Sequence, residues 1–172
     1  MQNSKTLKLV IASLMAAMTC VATMIIKVPI AVTGGYANLG DCFVLLSGIL
    51  LGPLYGGMAA GIGSALADLL SGYATFAPAT FLIKGVMAVI VGLLVKDLSK
   101  KYTLRTILAG ILAECIMIAG YFFFESVFMG YGLTAAAAIP GNAIQGVLGI
   151  ILACLLIPIF KACGFSSLRQ KQ

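Results

Sequence analysis

Histidine and tryptophan are absent from the 172 residues of this chain, and only 9% of its residues are charged. A soluble domain needs about a quarter of its residues charged to cover its surface. Here 62% of the residues are hydrophobic and the mean hydropathy is +1.13. The few charges lie mostly between long apolar runs, as in helices that span a bilayer. The composition excludes a soluble domain and predicts an all-α integral membrane protein.

The lack of histidine also narrows the possible chemistry. Zinc sites lose their commonest ligand, and the five cysteines (Cys20, Cys42, Cys115, Cys154 and Cys163) show no metal-ligand spacing. An intramembrane enzyme would need metal ligands or a nucleophile–base pair, and neither pattern occurs. A Gly-Lys-Ser/Thr phosphate-binding loop is missing as well. We therefore expect no enzyme activity, no metal and no cofactor.

The net charge of +6 does not indicate a nucleic-acid partner, because the cations form no basic face. They cluster at the two termini and in residues 96–105. At the N-terminus, Lys5 and Lys8 precede an uncharged run, residues 9–26, that is longer than a signal-peptide core of about 7–15 residues. We interpret this run as part of the first membrane helix.

A compact bundle of six transmembrane helices in a single domain, 1–172, is the predicted architecture. The helices are expected at about residues 7–30, 39–52, 54–70, 79–95, 104–128 and 139–160. The two short helices come from dividing one uncharged stretch at Gly52 and Pro53, which favour a turn. They would span only about 21 and 25 Å of a roughly 30 Å hydrocarbon layer. We therefore expect them to pack inside the bundle or to line a cavity.

The six-helix topology also predicts an orientation in the cell membrane. It places both termini and the basic loop 96–105 on one side, which the positive-inside rule makes cytoplasmic. Loops 31–38 and 71–78 are then extracellular. Polar residues lie mainly in the outer half of the membrane, and only Glu114 is near its middle. A channel would need polar groups along its whole length, so the pattern favours an outward-open bowl that binds a small polar solute.

Charged residues within the spans are expected to pair or to face water. Lys84 is the only deep cation, and its candidate partners are Glu114, Glu125 and Asp68. Lys84 has two equally supported roles at this point: partner in a structural ion pair, or contact with a ligand. Asp41 is expected to cap a helix near the interface, and Asp68 to be solvated at a helix end.

Helical spacing and the outer loops complete the candidate site. Glu114, Tyr121 and Glu125 share one stripe of a helix, because they are 7 and 4 residues apart. The outer loops combine glycine with aromatic rings that are suited to stack on a flat ligand, although membrane anchoring explains any single ring equally well. The predicted substrate-binding residues are Tyr36, Asn38, Tyr73, Phe76, Lys84, Glu114, Tyr121, Glu125, Asn142 and Gln145.

Several segments carry a family resemblance. They are residues 35–41 (GYANLGD), 51–56 (LGPLYG), 61–73 (GIGSALADLLSGY), 77–85 (APATFLIKG), 121–125 (YFFFE) and 139–145 (IPGNAIQ). Together they resemble the S components of energy-coupling-factor (ECF) transporters, which are the substrate-capturing membrane subunits of ABC-type vitamin importers. The likeness covers nearly the whole chain and is greatest to the branch that handles hydroxymethylpyrimidine, pyridoxine and related vitamin precursors.

The resemblance implies six helices and a pocket under the loops that join helices 1–2 and 3–4. It implies docking onto a membrane scaffold (T) subunit that is driven by two ATPase (A) subunits. Ala12 and Ala16 match the family's Ala-x-x-x-Ala docking motif. Riboflavin or another vitamin is the alternative substrate. The alternatives from another functional class are a self-sufficient small transporter and a structural membrane subunit. An inverted internal repeat would support the self-sufficient transporter, and no clear repeat is present in the sequence.

Overall fold

The computed structural model describes residues 2–96 and 102–163. Its elements are α1 (Gln2–Ile25), β1 (Lys27–Ile30), β2 (Gly35–Asn38), α2 (Asp41–Leu70), α3 (Ala77–Leu94), α4 (Tyr102–Phe123), a π-helix (Phe124–Phe128), a 3₁₀ helix (Gly132–Ala138) and α5 (Ile139–Ala162). Within these ranges, five helices are long and apolar enough to cross a membrane. The prediction of an all-α membrane bundle is confirmed.

Helix α2 is broken in the middle, at Gly52. The backbone there has φ 78° and ψ −177°, a conformation that glycine adopts without strain. The chain then folds back on itself, so that a Cβ added at Gly56 would lie 2.8 Å from the Cα of Gly48. In a straight helix residues eight apart are about 12 Å apart. The predicted break between two short helices is therefore where Gly52 and Pro53 indicated.

The predicted count of six separate helices is nevertheless too high by one. The two short helices join directly at Gly52 and form one doubled-back element, Asp41–Leu70, because no loop separates them. The first half, residues 41–51, packs beside the second half, residues 53–70. The fold keeps six helical segments but only five independent helices in the described residues.

The first helix was predicted to reach residue 30 but ends at Ile25. Residues Lys27–Ile30 instead pair antiparallel with Gly35–Asn38, with Lys27 opposite Asn38. Pro29 explains the difference, because proline cannot continue a helix and biases the residue before it to extended backbone.

A second boundary also differs from the prediction. Helical structure continues to Phe128 as predicted, but the α-helix proper ends at Phe123 and a π-helix follows. The other helices begin and end within about two residues of the predicted positions, inside the usual uncertainty of helix ends.

The interior of the bundle is built around α2. In the most apolar 18-residue stretch of α2, 72% of the residues are buried, against 28–39% in the corresponding stretches of the other four long helices. Helix α2 therefore lies at the centre of the bundle. Leu45, Leu46 and Ile49 on its first half are fully buried and pack with Met87 of α3 and Met117 of α4. As expected, the short segments pack inside the bundle.

Candidate functional site

A narrow polar cavity lies at the end of the bundle where α2 begins and ends. The fold-back at Gly52 places Asp41 and Asp68 at this same end, whereas a straight helix would separate them by about 40 Å. The cavity is lined by Thr23, Ile30, Gly35, Tyr36, Asn38, Ser64, Asp68, Phe76, Thr80, Lys84, Tyr121, Glu125, Asn142 and Gln145. Eight of the ten predicted binding residues are among them. Tyr73 and Glu114 are the two that do not line it.

Lys84 lies at the centre of a buried polar network. Its Nζ donates a hydrogen bond to Oδ1 of Asp41, and the two side chains are 3% and 0% exposed. The second oxygen, Oδ2 of Asp41, accepts a hydrogen bond of 2.6 Å from Nε2 of Gln145. The ammonium also lies 5.5 Å from the ring centre of Tyr121, a cation–π distance. This network connects α2, α3, α4 and α5.

Two sequence expectations are corrected by this network. The partners expected for Lys84 were Glu114, Glu125 and Asp68, but its ion pair is with Asp41. Asp41 was expected to cap a helix near the interface, whereas Gly40 holds the N-cap position and Asp41 is buried. Asp41, in the first turn of α2, therefore faces Lys84 of α3 in the interior of the bundle.

The β-hairpin β1–β2 is tied to the helices by two contacts. The hydroxyl of Tyr36 donates a 2.5 Å hydrogen bond to Oδ1 of Asp68, and the backbone N–H of Asn38 donates one of 2.6 Å to Oε1 of Gln145. Burial, and then the hydrogen bond to Asp68, raise the pKa of Tyr36 well above its usual range, so its hydroxyl remains a donor. Asp68 is 3% exposed, so the expectation that it would be solvated is wrong.

Aromatic rings cover the outer side of the cavity. The ring centres of Tyr36 and Tyr73 are 4.5 Å apart, those of Tyr73 and Phe76 are 6.5 Å apart, and those of Phe76 and Phe124 are 5.6 Å apart. Such spacings are typical of interacting aromatic pairs. Tyr73 therefore lies behind Tyr36 and Phe76 and supports the rings that do line the cavity.

The two glutamates occupy different positions. Glu125, in the π-helix, lines the cavity and is 2% exposed. Glu114 is 5% exposed and lies below the lining, packed against Gly146, where an added Cβ would come within 2.9 Å of it. It interacts electrostatically with Asp41 and Lys84. Glu114 thus belongs to the charged network under the cavity.

The cavity is narrow. The space among its lining side chains is about 460 Å³, including the part open to solvent, but the room for the centre of a water molecule is only about 30 Å³. About 10–15 Å³ of such room holds one water. A ring-sized ligand therefore requires lining side chains to move apart.

Comparison with known proteins identifies the chain. A family model described as "ECF-type riboflavin transporter, S component" matches residues 3–162. The chain belongs to this family of ECF S components. It is accordingly a substrate-binding membrane subunit of an ECF transporter and not an enzyme.

Individual relatives agree with this assignment. A Pyrococcus woesei protein described only as an "uncharacterized protein in gap 3'region" is 41% identical over 134 residues, covering 77% of this chain and 86% of its own. The "Thiamine precursor transporter HmpT" of Lactococcus lactis subsp. cremoris (strain MG1363) is 26% identical over 165 residues, covering 95% and 93%. A solved structure titled "Structure and mechanism of the S component of a bacterial ECF transporter" has the same fold, with a TM-score of 0.71 at 23% identity, covering 92% and 97%.

Sequence reasoning missed several residues that line the cavity of this S component. Thr80 accepts a 3.0 Å hydrogen bond from the hydroxyl of Tyr121, and it precedes Lys84 by one helical turn. Ser64 likewise precedes Asp68 by one turn. Residues four apart share a helix face. The four-residue spacing of Thr80 from Lys84 and of Ser64 from Asp68 could therefore have identified both residues from the sequence.

The predicted docking residues Ala12 and Ala16 lie away from the cavity. They are half-buried in an apolar groove between α1 and the second half of α2, whose space is about 1580 Å³, including the part open to solvent. Thr23, which lines the polar cavity, is 7 residues further along α1, or about 10 Å. The groove and the cavity of the S component are therefore separate surfaces.

Proposed function

We propose that this S component captures a small, flat, water-soluble vitamin or vitamin precursor, of the hydroxymethylpyrimidine or pyridoxine type, at the outer face of the membrane. The observation that carries the proposal is the narrow polar cavity at one end of a bundle whose core cluster is built of apolar side chains. Such sites combine a mostly apolar wall with a few placed polar groups. Because polar side chains do not continue through the bundle, the subunit binds its substrate but needs partners to move it.

The choice of substrate is supported by the relative HmpT, which is named as a thiamine precursor transporter. Riboflavin is the second candidate, since the matching family model is described by that vitamin. The narrowness of the cavity favours the smaller compound. A single pyrimidine or pyridine ring needs less displacement of the rings of Tyr36, Phe76 and Tyr121 than the three fused rings of a flavin.

The proposed orientation places the cavity outside and both termini in the cytoplasm. Seven cationic residues lie in the described ranges, and five of them are at the end of the bundle opposite the cavity. These are Lys5, Lys8, Lys96, Arg105 and Lys161. The positive-inside rule makes that end cytoplasmic. The remaining cations of the predicted basic loop and the C-terminal tail fall at positions 97–101 and 164–172, outside the described residues.

Substrate release is proposed to depend on the ECF module, a scaffold (T) subunit with two ATPase (A) subunits. The groove at Ala12 and Ala16 is the proposed docking surface. Small side chains there leave a long apolar depression in which a helix of the scaffold can approach α1 closely. The chain itself carries no Gly-Lys-Ser/Thr loop, so nucleotide hydrolysis must come from the partner subunits.

Two measurements test the proposed function. Equilibrium binding to the purified, detergent-solubilised chain, screened over pyrimidine, pyridine and flavin vitamins, should identify one tight ligand. Uptake of that ligand in radiolabelled form should require co-expression of the scaffold and ATPase subunits. Uptake by the chain alone would instead favour a self-sufficient transporter, and absence of binding to every vitamin would contradict substrate capture.

A further inference from the structure

Two carboxyl groups in the cavity have an unused hydrogen-bond acceptor. Asp68 is 3% exposed and Glu125 2% exposed, and both line the cavity. Oδ2 of Asp68 and Oε2 of Glu125 accept no hydrogen bond from the described residues. The hydroxyls of Thr80 and Thr33 lie near these carboxyl groups but not in hydrogen-bonding geometry with the two oxygens. Buried acceptors are normally hydrogen-bonded, and because these two line the cavity, a bound ligand can supply the missing donors.

The cation of the cavity is already engaged. Lys84 is paired with Asp41, whose second oxygen is bound by Gln145. The ion-pair partner of Lys84 is therefore a carboxylate behind the cavity wall, and in the described residues neither Asp68 nor Glu125 forms an ion pair with it. Among the described residues that line the cavity, the carboxylates outnumber the cations. The cavity has an excess of negative charge and of acceptors.

The backbone around Glu125 supports a binding role for this residue. Glu125 lies in the π-helix Phe124–Phe128, where the N–H of Met129 donates to the carbonyl of Phe124, five residues earlier. Single-turn π-helical segments are rare and are found frequently at functional sites. Here the side chain that the π-helix carries into the cavity is an acidic one.

We infer that the site selects a ring compound with an exocyclic amino or ammonium group, which donates hydrogen bonds to Asp68 and Glu125. The same site discriminates against phosphorylated or carboxylated forms of the ring. An anionic group would lie against two carboxylates in a water-poor cavity, where repulsion between like charges is poorly screened. The buried amide of Asn142, which also lines the cavity, can donate to the ring acceptors. This inference rests on the proposed function and specifies its substrate class.

Three matched ligands test the inference on the full-length chain in detergent. They are hydroxymethylpyrimidine, which carries an amino group, its phosphate ester, and the oxo analogue in which oxygen replaces the amino group. By isothermal titration we expect the amino compound to bind and the other two to bind at least about tenfold more weakly, the equivalent of one lost polar contact. Each measurement uses the same detergent, pH and salt concentration.

Two variants assign the discrimination to the carboxylates. Glu125→Gln and Asp68→Asn keep the side-chain shape but replace an acceptor with a donor and remove the charge. Each should weaken binding of the amino compound by about tenfold and reduce its preference over the phosphate ester. The control is Ser126→Ala, in the same π-helix, whose hydroxyl bonds to the carbonyl of Phe123 and does not line the cavity. It should leave all affinities unchanged.

The outcomes separate this inference from the proposed function. Equal binding of the phosphate ester or the oxo analogue overturns the inference alone, as does exclusive binding of riboflavin, whose rings carry no exocyclic amino group. An equal loss for all three ligands in both variants, with unchanged ligand-free thermal unfolding, also overturns it. If no vitamin binds the wild-type chain, the proposed function is wrong and the inference falls with it.

Discussion

Replacing Lys84 with methionine removes the cation from an ion pair that is almost wholly buried. Methionine keeps an unbranched side chain of similar length, so the main loss is the charge and not the volume. Asp41 keeps its hydrogen bond from Gln145 but loses the ammonium on Oδ1. Its carboxylate then remains uncompensated at 0% exposure. We expect the protein to be strongly destabilised.

The size of the effect follows from this burial. Removing one partner of a buried ion pair costs roughly 3–5 kcal/mol, because the other charge is left without compensation. For a chain of this length each kcal/mol lowers the unfolding temperature by about 2–4 °C. Lys84→Met should therefore lower it by roughly 6–20 °C. The double variant Lys84→Met/Asp41→Asn should recover much of this loss, since the carboxylate that Lys84→Met leaves unpaired is then removed as well.

Thermal unfolding of the ligand-free chain in detergent measures the effect. Lys27→Met is the matched control, because Lys27 is half-buried in the hairpin and its Nζ lies 5.9 Å from the ring centre of Tyr36. A cation–π contact of this kind is worth about 0.5–1 kcal/mol, so the control should shift the midpoint by only a few degrees. Equal midpoints for Lys84→Met and Lys27→Met, or no recovery in the double variant, would refute the reasoning.

Three further predictions concern topology, docking and binding. A cysteine introduced at position 100 in a cysteine-free background should not react with an impermeant thiol reagent added outside the cell. Labelling of this cysteine would contradict the proposed orientation. Ala12→Leu should abolish transport but leave substrate binding by the isolated subunit intact, because the larger side chain fills the groove and not the cavity. If transport and binding were both lost, the groove would have a structural role and would not be a docking site. Asn142→Ala should weaken binding by about tenfold, since a polar partner of the ligand is lost from the cavity wall. Glu114→Gln should also weaken binding, because it changes the charged network of Asp41 and Lys84 under the cavity. Wild-type affinity in both folded variants would contradict the assigned site.

Much of the fold could be predicted because the bilayer makes local signals informative. A run of about 20 apolar residues crosses the hydrocarbon layer whatever its neighbours are. Gly52 and Pro53 favour a break through their own backbone preferences, so the fold-back of α2 was visible in the sequence. The concentration of polar side chains at one end could also be predicted, because helix position alone assigns a residue to one half of the membrane.

What only the tertiary structure decided is which side chains meet. Asp41 and Lys84 are 43 residues apart, and their contact depends on how the first half of α2 is rotated toward α3. Hydropathy reports the depth of a residue but not the rotation of its helix, which is set by close packing of backbones at small residues. The same limit explains why Glu114 was predicted in the cavity and lies below it. The sequence by itself determined the bundle and its polar end; the packing of the helices decided the ion pair of Lys84 with Asp41 and which carboxylates line the cavity.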